Sequence, residues 1–226
     1  MSSTTWKLKE LEQWIKVNRP DEKQAAALPK SLGRSSLIIK YHANLAKDAF
    51  APFTHTDDNH SQMLVAMLSM KPDFGMAALA YEANIIAAIH TVRNYAEIFA
   101  QLVNSLVLAE PLAEKDCTFG KVASRIPESA LKQGMLDLNA SYWFRYLAAF
   151  SNISKHRRML QSKPTVSFED GASGIRVEPF SYTLSAKEGE IDFPQCWGHD
   201  LLDETFNVYR RILELGQLLN AQLFHS

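Results

Sequence analysis

The stretch IIAAIHTVRNYAEIFAQLVNSL, residues 85–106, decides the fold. Ile85, Ile89, Val92, Ala96, Phe99, Val103 and Leu106 recur at alternating steps of four and three, which puts them on one side of an α-helix. An apolar seam sustained over that length needs apolar partners along it. The pattern extends from about Met76 to Leu108, and Pro111 stops it. The fold class that follows is mainly α: an antiparallel helical bundle, read as one domain over 1–226.

Outward from that helix, the same periodicity predicts its partners. Towards the C-terminus, helices are expected over about 118–138 and 139–161, with Ile126-Pro127 as a kink or break. Trp143, Tyr146, Leu147, Phe150, Ile153 and Leu160 form the buried stripe of the second. From Pro164 to Leu184 the period falls to two, around the turn Asp170-Gly171-Ala172-Ser173-Gly174, which reads as a β-hairpin over 164–185. Past Glu178-Pro179 the apolar phase slips to Phe180, Tyr182 and Leu184, the mark of a bulge or an edge strand. Residues 186–198 read as a loop, and a last helix runs from His199 to about Leu223. On the N-terminal side, the pattern predicts helices over Thr5–Val17, a short one over Asp21–Leu28, and one over Ser31–Phe50. Pro52 and Thr54 to Asp58 form a loop, and Asp58 is a candidate cap for a helix through Met63 and Met67.

Composition narrows the classes of function. Hydrophobic residues make up 46% of the 226 and charged residues 22%, as in ordinary globular chains. A net charge of -1 gives no global pull towards nucleic acid or an anionic membrane, so anion binding has to come from a local patch. Cys117 and Cys196 lack metal-type spacing and suit a reducing, cytoplasmic setting. The N-terminal residues lack the apolar core of a signal peptide. No uninterrupted apolar run reaches the roughly 18 residues of a spanning helix, so no membrane association is expected.

Chemistry concentrates in Ser151-Asn152-Ile153-Ser154-Lys155-His156-Arg157-Arg158. On a helix Asn152 and His156 share a face, with Arg145 about 16 Å earlier on nearly the same face. One reading makes the basic run a helix C-terminus that complements the macrodipole. The other uses Asn152 to hold a phosphate or ribose, His156 as acid-base, and Arg157 or Arg158 as a charge clamp, with Lys155 and Arg145 in binding roles. On the long helix, His90, Asn94, Glu97, Gln101 and Asn104 form a polar stripe about 100° from the seam, flanked by Arg93. That stripe is either a solvated face or the source of a carboxylate, Glu97, or an imidazole, His90, that faces Asn152 and His156. His55, Asp57, Asp58 and His60 have the residue types of a metal cluster, but they also make an ordinary helix start, and no metal or cofactor is expected.

The motif Asn152-Ile153-Ser154-Lys155-His156, on a long helix next to a second helix carrying His90 to Glu97, resembles the HEPN superfamily (higher eukaryotes and prokaryotes nucleotide-binding). Its motif is an arginine, a polar residue, three or more residues and a histidine. Asn152 matches the polar position and His156 the histidine, while Ser151 stands where the arginine falls. The similarity covers at best residues 76–160 and the final helix. It implies metal-independent cleavage or binding of RNA or a nucleotide, with the site built across a homodimer. Two other readings remain: a non-catalytic interaction or dimerisation module, and a small-molecule pocket lined by Trp143 and Tyr146.

Overall fold

A computed structural model of the chain describes residues 5–53, 59–69, 71–169, 171–184 and 189–225. The chain is mainly α, with a cluster of short antiparallel strands before the last helix. In order, the helices are α1 (Leu8–Asn18), α2 (Lys23–Phe50), α3 (Asn59–Leu68), α4 (Pro72–Val107), α5 (Phe119–Arg125), α6 (Ala130–Ala140), α7 (Tyr142–His156) and α8 (Gly198–Phe224). The strands between α7 and α8 are β1 (Ser162–Ser167), β2 (Ala172–Val177), β3 (Phe180–Tyr182), β4 (Ile191–Phe193) and β5 (Cys196–Trp197).

Several elements differ from the expected ones for local reasons. Two helices separated near Lys30 are one helix, α2, with Pro29 inside it. Proline removes a backbone donor and crowds the preceding turn, but Ala25, Pro29 and Leu32 are all buried, and that packing holds the helix together. The expected 118–138 helix is two. Pro127 ends α5, and the Ser129 hydroxyl accepts from the Lys132 N–H at 3.2 Å to begin α6. α6 ends at Ala140, where the Ser141 N–H donates to the Leu138 carbonyl at 3.1 Å, and α7 starts afresh. The expected loop over 186–198 carries β4 and β5 among its described residues. Asp58 and the cluster His55, Asp57, Asp58 and His60 lie outside the residues whose side chains are described.

The chain divides into two compact units, and α2, α4, α7 and α8 each contribute to both. Unit 1 is Met1–Leu37, Thr91–Arg145 and Phe206–Ser226. Its core gathers Leu11 and Ile15 of α1, the Val92 to Leu106 seam of α4, Phe119 and Val122 of α5, Leu131 and Met135 of α6, and Ile212 and Leu219 of α8. Trp6 is the keystone. Its ring meets Phe99 edge-on at 5.7 Å, and its indole N–H donates to Asn220 Oδ1 at 3.0 Å. It lies directly on Gly216, where a side chain would collide with the indole.

Unit 2 is Ile38–His90 and Tyr146–Thr205. An aromatic cluster of Phe50, Phe74 and Tyr81 joins α2 to α4. β1 and β2 pair antiparallel around a turn in which Gly171 takes φ +59°, and β5 pairs on the far side of β2. The phase slip past Pro179 is a change of sheet: β3 leaves β2 and pairs with β4. Helix α3 packs on β1 and β2.

By length and mean apolarity α4 passes as a membrane-crossing helix. Glu82, His90, Arg93 and Glu97 interrupt its apolar run, and Ile85, Ile89, Val92, Phe99 and Val103 along it are buried in the protein.

Candidate functional site

The end of α7 is held by its apolar stripe. Tyr146, Leu147, Phe150 and Ile153 are buried in unit 2. Phe180 of β3 and Phe193 of β4 meet the Tyr146 ring at 5.1 and 5.4 Å, and the Tyr146 hydroxyl is 3.2 Å from Cys196 Sγ. Rings in edge contact at these spacings resist rotation of the helix about its axis. Because Tyr146 is packed in the core, it does not line an open small-molecule pocket.

Past Ile153 the helix runs out of apolar partners and its residues turn outward. Lys155, His156, Arg157 and Arg158 are all exposed, while Leu160 is buried again. The Arg157 and Arg158 N–H groups both donate to the Ile153 carbonyl, at 2.9 and 3.1 Å, which closes the helix C-terminus. The Arg157 guanidinium lies 4.8 Å from the centre of the Tyr182 ring. Arg158 donates to Glu178, which also accepts from the Gln161 N–H at 3.0 Å. Burial would raise the Glu178 carboxyl, but the Arg158 and Gln161 hydrogen bonds and the charge of Lys163 outweigh it and hold it below the usual range. Lys163 on β1 lies opposite Arg176 on β2, a like-charge pair in register. Arg176 lies 4.6 Å from the centre of the Trp197 ring.

Neighbouring groups divide between the units. His90 of α4 reaches α7 in unit 2 at Ser151 rather than at Asn152 or His156: Nδ1 is 2.8 Å from the Ser151 hydroxyl. Ser151 is buried, a small polar group inside the protein. Desolvation, and then the charge of Lys155, push His90 below its ordinary value. Asn152 is half-buried beside Ser151. Glu97 belongs to unit 1, where it bonds Arg93 at 3.0 Å, and Arg93 also lies 4.7 Å from the centre of the Phe144 ring. Arg93 is thus the residue that orients Glu97. Arg145 is half-buried and Asn94 exposed, both in unit 1.

Sequence reasoning missed three residues: Ser151 as the partner of His90, and Tyr182 and Trp197 as the rings beside Arg157 and Arg176. The first is a contact between residues sixty-one positions apart, which no local period signals. The rings sit on strands of two and three residues, too short to show a period. Among the described residues no group of histidine, cysteine and carboxylate side chains is arranged to hold a metal ion.

Comparisons with family models, with curated proteins and with solved structures find no match to this chain.

Proposed function

We propose that the chain binds RNA through the basic end of α7 and the adjoining edge of β1, as a divergent relative of the HEPN superfamily. One observation carries the reading: the cations at this end exceed what its structure uses. Glu178 engages Arg158 and feels Lys163, while Lys155, His156 and Arg157 remain turned to solvent. One or two cations suffice to complement a helix C-terminus. Arg157 beside Tyr182 presents a planar fork suited to a phosphate next to a ring on which a base can stack.

The buried serine at the motif arginine position removes a positive charge that strand cleavage would use, so binding is the primary role, and His156 is the acid-base candidate for cleavage alone. The same resemblance makes a second copy of the chain the partner that completes the site. The two cysteines, unpaired with each other, suit a reducing cytoplasmic compartment.

Anisotropy titrations with a labelled single-stranded RNA across salt concentrations test this. Arg157→Glu is expected to weaken binding at least tenfold and to lower the slope of log affinity against log salt by about 0.7. Equal affinity in wild type and variant at low salt rejects the reading. Incubating the same RNA in EDTA with wild type and His156→Ala separates binding from cleavage: loss of product in the variant alone makes His156 catalytic.

Exposed apolar residues on α3 and α4 of unit 2, Val65, Leu68, Met76 and Leu79, favour a second reading, a non-catalytic dimerisation face. Under that reading Leu79→Glu yields monomers in sedimentation equilibrium while RNA binding is absent throughout.

A further inference from the structure

Unit 1 contains a pocket of about 400 Å³ that plays no part in the reading above. It opens between the start of α2, the second half of α4 and the segment that follows α4, and its volume falls in the range of small-molecule sites. Its lining mixes apolar side chains, Ala25, Leu28, Pro111 and Leu112, with polar ones from Gln24, Gln101, Ser105 and Glu114. Two polar side chains of α4, Gln101 and Ser105, sit one turn apart on its lining, both half-buried. Between them, Asn104 is committed to the wall. Its amide nitrogen donates to the Leu112 carbonyl at 3.0 Å and its oxygen accepts from the Leu112 N–H at 2.8 Å, which fixes the segment that closes one side.

Charge sets the ligand class. No lysine or arginine is among the lining residues, while Glu114 is. Burial, then the charges of Glu97 and Glu114, push the Cys117 thiol up, so the sulfur stays protonated and adds no charge of its own to this wall. An anion entering here would be repelled and would find no cation to meet it.

We infer that this pocket is a binding site for a small neutral molecule that carries an amide or lactam group, whose N–H and C=O are met by Gln101 and Ser105. A side-chain amide offers one donor and one acceptor side by side, the complement of a ligand amide, and the hydroxyl supplies whichever bond remains. The apolar side chains of the lining take the rest of the ligand.

The test pairs neutral probes with anionic counterparts of nearly the same shape: nicotinamide with nicotinate, and benzamide with benzoate. Two measurements are read at millimolar probe on the full chain. One is the melting temperature. The other is the alkylation rate of Cys117, located by mass spectrometry, with Cys196 of unit 2 as the internal control. The neutral probes are expected to raise the melting temperature and slow alkylation of Cys117 alone, at least threefold, while the anions do neither. Gln101→Leu is expected to weaken the neutral probe about tenfold, and Ser105→Ala, a smaller change, is the second variant should Gln101→Leu fail to fold. The inference is overturned if neither neutral probe protects Cys117, if the anions protect it equally, or if the folded variants bind as the wild type does.

Discussion

The two units of this chain surround their polar groups with opposite charge. In unit 1 the polar side chains of α4 line a pocket whose lining includes the carboxylate of Glu114 and no lysine or arginine. In unit 2 the end of α7 and the edge of β1 carry Lys155, His156, Arg157, Arg158 and Lys163, and Glu178 engages Arg158 and feels Lys163. The polar stripe of α4 feeds both regions: His90 bonds Ser151 in unit 2, while Gln101 lines the pocket in unit 1. A net charge of -1 therefore says little about either region, because local charge differs between them. What separates them is which neighbours the fold supplies.

The hardest way to break this contrast is to damage one unit and ask whether the other follows. Trp6→Ala removes the indole packed on Phe99 and Gly216 and leaves the Asn220 amide without its donor. The expected loss is about 4 kcal/mol, read as a lower urea midpoint. If the regions are energetically separate, the folded fraction still binds RNA as the wild type does, and a parallel loss of RNA affinity would refute that separation. Next in size, Lys155→Glu combined with Arg157→Glu reverses two cations at the α7 end. A fall in RNA affinity of about a hundredfold at low salt is expected, because both variants add repulsion as well as removing contacts. Affinity unchanged by the double reversal would place any RNA site elsewhere.

How much of this was readable follows from the length of each element. The α4 seam and the α7 stripe each present several apolar residues at helical spacing, and both helices stand near where that spacing put them. The hairpin was legible in its alternation and its glycine turn. The phase slip at Pro179 was visible, but its cause, a strand changing sheets, depends on Phe193 lying opposite Phe180, thirteen residues away. Pro29 inside α2 was not legible, since local propensity argues against it and only the buried neighbours override that. The same holds at the site. The basic run was visible, whereas the Ser151 bond to His90 depends on a contact across sixty-one positions of sequence.

That bond supplies a smaller test. Ser151→Ala leaves the His90 Nδ1 without its partner in a half-buried setting, and a loss of about 1 kcal/mol is expected in denaturant melts. A neutral effect would mean that water replaces the hydroxyl at no cost.

The subtlest difference between the regions is in pH response. His90 is held below its ordinary value of 6.5, first by desolvation and then by the Lys155 charge. Its folded form therefore binds a proton less readily than its unfolded form. Where the unfolded chain binds more protons, stability rises with pH. The His90 contribution is accordingly intact above about pH 7 and is lost as pH falls below about 6.5, through the unfolded value and towards the folded one. Glu178, held low by Arg158, contributes in the same direction but at lower pH, where its carboxylate begins to protonate. Melting temperatures taken from about pH 7.5 to about pH 5.5 separate the two. The wild type is expected to lose stability across this window, His90→Gln to lose less, and Lys155→Ala to fall between them, since it lifts only the second cause. If His90→Gln and wild type run parallel, the imidazole does not titrate differently in the folded chain, and the contact between α4 and α7 in unit 2 is insensitive to pH.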